Sequence, residues 1–466
     1  MLINRYTDQP PQQRSSALNT QIQNIEQQID TLTQHETQQN LLRSATRWHE
    51  KGERNNKYFY RVIKSRQQQQ TIHSLKCSRT NRILHDSSDL IQETRHFYQQ
   101  LYTPEEVDQH AIDQLLNNIP HDVKLTPEDA NDLTSPLSQL DMLDLIARAP
   151  KDRSPGLDGI PFEVYQHIAP RSPHFCSLLL TILRQAFDGF FPESWCQTRM
   201  VLLFKKGDPE LLANWRPLSL INADAKLFTK LIANRVNSFL PKLINPYQTG
   251  FMPHRLISDN GWINQVLMTN ARHTSSSSSS PSPVAVFLDQ EKAYDRVHPA
   301  YLCQVLRRFG FPRFNHPQPV HPIFWQGDPL SPLLFNLAFE PLLRSLLASS
   351  LRGVSLKSFS LRPQYKANPA PVHYYDTDWN EQQHLDPISQ SLSTAPPNIK
   401  LLSYADDLEV FLDNPREWPI LDDLLFQYRK ASNAKVNLNK TVMMPLSGGC
   451  HEEWLSLASS FGISIA

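Results

Sequence analysis

The stretch IKLLSYADDLEVFL, Ile399 to Leu412, decides the fold. Two apolar runs flank Ala405, Asp406 and Asp407, and short apolar runs joined by a tight polar turn predict a β-hairpin with the acids at its tip. The turn lacks the glycine that two-residue hairpin loops favour, so some backbone strain is expected beside the carboxylates. Outward from the hairpin, VAVFLD (Val284 to Asp289) reads as a second strand that ends on an acid. A carboxylate at a buried strand end is costly unless it is paired or holds a metal. Adjacent Asp406 and Asp407 repel one another, and a cation relieves that repulsion. Oxygen donors alone suit Mg²⁺, which keeps waters and takes phosphates as further ligands.

Further out, Met200 to Phe204 reads as a short buried strand, and Pro173 to Phe190 and Asn222 to Phe239 carry apolar residues at helical spacing. Leu125 to Ala149 predicts acidic helical segments before SPGLDGIPFEVY (Ser154 to Tyr165), where Pro155, Gly156 and Gly159 demand a structured turn. Residues 273–283, with their serine run, and 361–399, which lack periodicity, are expected as flexible inserts. Near the start, Leu18, Ile22, Ile25, Ile29 and Leu32 form a short heptad seam. It leads into a basic segment in which Arg43, Arg47, Lys51 and Arg54 share one helical face, followed by Lys57 and Arg61.

Composition narrows the class. The chain has 466 residues, 40% of them hydrophobic, which is enough for more than one structural unit. No apolar run reaches the roughly 20 residues that span a bilayer, and MLINRYTDQPPQQ lacks the apolar core of a signal peptide, so an intracellular protein of nucleus or cytoplasm is expected, without a membrane partner. Cys77, Cys176, Cys196, Cys303 and Cys450 are scattered and form no CxxC pair, which argues against a disulfide framework or zinc site. The 46 basic and 46 acidic side chains cancel. The basic residues nevertheless cluster between Arg43 and Arg66 and between Arg199 and Lys242, two patches suited to neutralising phosphates.

FLDQEKAYDRV (Phe287 to Val297), QGDPLSPLLFNLAFEPL (Gln326 to Leu342) and LLSYADDLEVFL (Leu401 to Leu412) resemble, in order, the A, B and C motifs of non-LTR, LINE-like retrotransposon reverse transcriptases. SPGLDGIPFEVY, LLFKKGDPELLANWRPLSLIN (Leu202 to Asn222), YQTGFMPHRLISDN (Tyr247 to Asn260) and AKVNLNKT (Ala434 to Thr441) resemble the flanking segments, and WHEKGERNNKYFY (Trp48 to Tyr60) the basic segment upstream. The resemblance implies an α+β right-hand polymerase with helical fingers and an antiparallel palm sheet. A helical, basic, RNA-binding extension over 1–124 would precede a reverse transcriptase domain over 125–466, with its core at 190–446. It implies two Mg²⁺ ions on Asp289, Asp406 and Asp407, and catalysis by these with Lys440 as general acid. Tyr294 would discriminate the sugar, Lys205, Lys206 and Arg216 would grip the triphosphate, and Gln326 and Gly327 would support the incoming nucleotide. Arg43, Arg47, Lys51, Arg54, Lys57 and Arg61 would bind RNA. The implied partners are an RNA template, a DNA primer and deoxynucleoside triphosphates.

The chain departs from the family between Gly310 and Gln326, where a helix and a β-hairpin are expected and only a short segment stands, and the Arg-Gly before QGDPLSP is replaced by Ile323 to Trp325. A palm sheet short of one hairpin is therefore expected, in a partial copy without a full thumb or an endonuclease. Two other readings remain open at this point: a catalytically dead relic that only binds RNA, and a group II intron maturase-like protein, which shares the YADD hairpin.

Overall fold

In the computed structural model, residues 72–103, 105–275, 282–312, 327–355 and 398–466 are described. They divide into two compact units: one holds the described residues up to Leu90 together with 203–216, the other Ile91–Leu202 and Pro217–Ala466. The heptad seam and basic segment lie outside the described residues, as do 276–281 and 361–397 of the expected inserts.

In the smaller unit, strand β1 (Leu75–Lys76) pairs antiparallel with β2 (Ile83–Leu84). Ser74 Oγ donates to Glu210 Oε1 at 2.8 Å and Lys76 N to Glu210 O at 2.8 Å, which anchors this ribbon to 203–216.

The larger unit opens with helix α1 (Ser87–Tyr102), which starts in the smaller one, and α2 (Gln109–Asn117). Helix α2 buries Ala111, Ile112 and Leu115 in the main core, and the larger unit begins at Ile91. The acidic stretch forms α3 (Pro127–Thr134) and α4 (Gln139–Ala147), each started by a capping box, Thr126 with Asp129 and Ser138 with Asp141. Such reciprocal caps satisfy backbone N–H groups that a helix start leaves orphaned. Helices α5 (Phe162–Ile168) and α6 (Pro173–Phe187) follow. The Pro/Gly turn before α5 docks on buried Asn222, whose Oδ1 accepts from Leu157 N at 2.9 Å. A Cβ on Gly156 would lie 2.1 Å from that Oδ1, which is why glycine stands there.

Strand β3 (Arg199–Phe204) pairs with β4 (Trp215–Leu220) as a separate two-stranded sheet. The strand is where the sequence puts it, but it is not buried: Met200, Leu203 and Phe204 are exposed. A ribbon of two strands has no further sheet partner to cover it. Helix α7 (Ala223–Asn237) packs Leu227, Phe228 and Leu231 against Met142, Phe162, Leu179 and Leu183, a second apolar core that joins α4 to α6. Helix α8 is Ile257–Ser275, so 273–275, expected in an insert, end a helix.

The main core surrounds one sheet. Strand β5 (Val284–Leu288) is its centre, with Val284, Ala285 and Val286 fully buried. Helices α9 (Pro299–Arg308) and α10 (Ser331–Ala348) follow. In α10, Phe335, Leu337, Ala338 and Phe339 are fully buried, as suits a helix apolar nearly all round. Strands β6 (Leu401–Tyr404) and β7 (Asp407–Leu412), helix α11 (Trp418–Ser432), strand β8 (Val442–Pro445), helix α12 (Glu452–Phe461) and strand β9 (Ser464–Ile465) complete the unit. The strand order is β6-β7-β5-β8-β9, antiparallel throughout except for the parallel β8–β9 pair. The sheet is thus not wholly antiparallel. The segment between Gly310 and Gln326 falls largely outside the described residues, yet β5 is paired on both sides.

Candidate active site

The register of the sheet sets the end of β5 beside the β6–β7 turn. Leu288 pairs with Leu408 across β5 and β7, and Tyr404 pairs with Asp407 across β6 and β7. Continuing the first register by one residue sets Asp289 opposite Asp407, while Asp406 occupies the two-residue turn with Ala405. Gln290 Nε2 donates to Asp406 O at 3.3 Å, which ties the end of β5 to that turn. The expected strain is present: Ala405 has φ 55°, a left-handed value unusual for a residue with a Cβ.

The side chains around these acids follow from their elements. Asp289 is part-exposed, and Lys440 Nζ lies 3.8 Å from its Oδ2, so the lysine the sequence singled out stands beside the carboxylate that ends β5. Tyr294, on the short helical turn Ala293–Arg296, stacks on Phe335 of α10 with ring centroids 4.6 Å apart. Burial holds its hydroxyl well above the ordinary tyrosine range, with the charges of Asp406 and Asp407 adding to the effect, so the hydroxyl is neutral. Gly327 has φ 107°, and a Cβ there would come within 3.1 Å of Ser219 O and of Leu218 on β4. Asp328 beside it is buried, and burial raises its carboxyl to about 6 while Leu330 N donates to its Oδ1 at 2.7 Å at the start of α10.

Lys205, Lys206 and Arg216 are exposed on the β3–β4 hairpin, whose turn closes through Lys205 N to Asn214 O at 3.0 Å. Gln326 and the cations Arg43, Arg47, Lys51, Arg54, Lys57 and Arg61 lie outside the described residues. Among the described residues no three His, Cys, Asp or Glu side chains close around a metal position by themselves. None of the five cysteines is in a disulfide, and no described helix is long and apolar enough to cross a membrane.

Sequence reading missed the residues that hold this site from behind. Gln248, fully buried, contacts the acidic turn, and Asn260 Nδ2 donates to Ser403 O at 3.0 Å. Glu409 on β7 is buried beside Asn264, whose Nδ2 donates to its Oε2 at 2.6 Å, and burial raises its carboxyl to about 7. Their signal was faint: polar residues in YQTGFMPHRLISDN and a single glutamate inside an apolar strand.

Residues 204–360 match the family model described as reverse transcriptase (RNA-dependent DNA polymerase). Over 333 residues, 66% of the chain, it is 31% identical to a transposon TX1 149 kDa protein of Xenopus laevis, of which this covers 24%. It is 28% identical over 220 residues to a Pol polyprotein from the R2 retrotransposable element of Popillia japonica, covering 42% of the chain and 29% of that protein. It is 25% identical over 184 residues to a probable RNA-directed DNA polymerase from transposon BS of Drosophila melanogaster, covering 39% of the chain and 20% of that protein. The chain thus spans about a quarter of the length of the curated relatives it matches. Reverse transcriptases generally use divalent metal ions, an RNA template and nucleotide substrates. Residues 204–360 thus match the reverse transcriptase family model, and the relatives that the chain resembles over this region and beyond it carry the names of transposon and retrotransposable-element proteins.

Proposed function

We propose that this chain acts as an RNA-directed DNA polymerase that extends a DNA 3′-hydroxyl along an RNA template, with the β5–β8 sheet as palm and the helices of the second core as fingers. The observation that carries the reading is the pairing of Leu288, the residue before Asp289, with Leu408, the residue after Asp407. Asp289, Asp406 and Asp407 would hold two Mg²⁺ ions, which when bound lower the pKa of the attacking hydroxyl and stabilise the leaving pyrophosphate. Tyr294, neutral and braced by Phe335, sets the width available at the sugar and disfavours a 2′-hydroxyl. Lys440 Nζ carries a proton for the departing pyrophosphate oxygen. Lys205, Lys206 and Arg216 bind triphosphate oxygens through charge-assisted hydrogen bonds, and Gln326 and Gly327 line the incoming nucleotide. The upstream cations Arg43, Arg47, Lys51, Arg54, Lys57 and Arg61 bind template RNA through its phosphates.

The test is primer extension by the full chain on an RNA template with Mg²⁺ and deoxynucleotides. Wild type incorporates nucleotide, and Asp406→Asn, which removes one charge from the donor set, does not. Incorporation that survives this change would place the chemistry elsewhere. A wild type that binds RNA but extends no primer would favour the RNA-binding relic.

A further inference from the structure

Beside Gln290, which reaches Asp406 O, a second amide from outside the hairpin holds the acidic turn at Ala405. Gln248, 0% exposed, lies in the segment before α8 and forms a parallel bridge with Ser403. Its Oε1 accepts from Ala405 N at 2.7 Å and from Gly250 N at 2.9 Å. Its Nε2 donates to Ala405 O at 3.0 Å and to Ser403 Oγ at 3.0 Å. A side-chain amide has two donors and two acceptor sites, so every one is used. Two of the four bonds grip the N–H and C=O of Ala405, the residue at φ 55° that precedes Asp406. The backbone closes in from the same side: a Cβ on Gly250 would lie 2.1 Å from Ala405 N. Thr249 N and Thr249 Oγ1 both donate to Ser403 O.

The clamp is itself braced. Arg255 Nη1 donates to Gln248 O at 2.7 Å and to Asn245 O. Asn245 N and Nδ2 donate to Glu340, fully buried on α10, at 2.9 and 2.8 Å. Arg344 closes the chain on Glu340 at 2.7 Å.

We propose that Gln248 is a positioning residue for the acidic turn: its amide holds Ala405 in the left-handed conformation and so presents Asp406 and Asp407 as a preformed pair toward a divalent cation. The proposal rests on the polymerase reading for its kinetic consequence, but not for its metal-binding consequence. Partners that orient metal ligands from behind typically carry 10–100-fold in metal affinity or activity.

The experiment uses the full chain with Gln248→Met and the isosteric Gln248→Glu, whose carboxylate faces Ala405 O without a donor. Mn²⁺ binding is titrated by electron paramagnetic resonance, with Asp407→Asn as control for the site, and primer extension is followed in parallel. Both Gln248 variants should bind Mn²⁺ at the Asp407-dependent site about tenfold more weakly. They should lose about 10–100-fold in kcat with the deoxynucleotide KM within about threefold. Adding Ala405→Gly, which relaxes the left-handed residue, should restore part of the Mn²⁺ affinity. Unchanged Mn²⁺ affinity in a folded Gln248→Glu variant, or a kcat loss that only tracks a lowered unfolding temperature, overturns the proposal. Mn²⁺ binding that weakens as expected in a protein that extends no primer sustains the clamp and sinks the polymerase reading instead.

Discussion

Two hairpins in this chain reverse direction by opposite means. The β3–β4 hairpin turns with Gly207 at φ 95°, closes through its own Asn214 and leaves Met200, Leu203 and Phe204 exposed. The β6–β7 hairpin turns with Ala405, which pays a steric cost for its φ, and is held by Gln248 from another segment while Leu401, Leu402 and Val410 are fully or almost fully buried. The exposed β3–β4 hairpin, anchored through Glu210 to Ser74 and Lys76, suits long cations, whose flexible stems supply their own reach. A hairpin fixed by its surroundings can hold short carboxylates where a metal needs them, since an aspartate has little reach of its own.

The sharpest way to break this contrast is at the acids. Asp289→Asn should lower primer extension on the order of 1000-fold or more, with the circular dichroism spectrum unchanged. An Asp289→Asn enzyme with more than a tenth of wild-type kcat would show that β5 carries no ligand. On the self-closing hairpin, Lys206→Ala and Arg216→Ala should instead raise the deoxynucleotide KM about tenfold each while kcat holds, because a charge-assisted contact to a ground-state phosphate is lost. A collapse of kcat there would erase the distinction between the two hairpins.

Stability should divide in the same way. Leu408→Ala opens a cavity beside buried β5 and should cost about 2–5 kcal/mol in urea unfolding. Leu203→Ala, on the exposed ribbon, should stay within about 0.5 kcal/mol of wild type. Comparable costs would mean the ribbon is covered in solution.

The smallest effect concerns Glu409 at the back of the fixed hairpin. Burial raises its carboxyl from 4.5 to about 7, so the folded state holds a proton that the unfolded chain releases. Its contribution is then most favourable below about pH 4.5 and is lost as pH rises through 7, by on the order of 3 kcal/mol at most. Glu409→Gln should flatten the fall of the unfolding temperature between pH 5 and 7.5. A slope equal to wild type would assign that proton to another group, with buried Glu340, raised by burial to about 7, first in line.

What the sequence determined by itself was local or repeated. Two apolar runs and the turn between them located the β6–β7 hairpin within one or two residues, and VAVFLD became β5 with Asp289 just past its end. Capping boxes such as Thr126 with Asp129 act over three residues and so are set locally. The tertiary structure alone decided whatever depends on contacts far apart in the chain. β3 read as buried because apolar composition reports what a strand can bury, not whether a partner covers it. α2 entered the main core because α9, α10 and α11 offered it an apolar face, which its own nine residues do not encode. Gln248 lies 157 residues from Ala405, and one glutamine among flanking polar residues carries no mark of its target. Its amide becomes a clamp only when the sheet has closed and removed water, since only a buried turn must find its hydrogen bonds inside the protein.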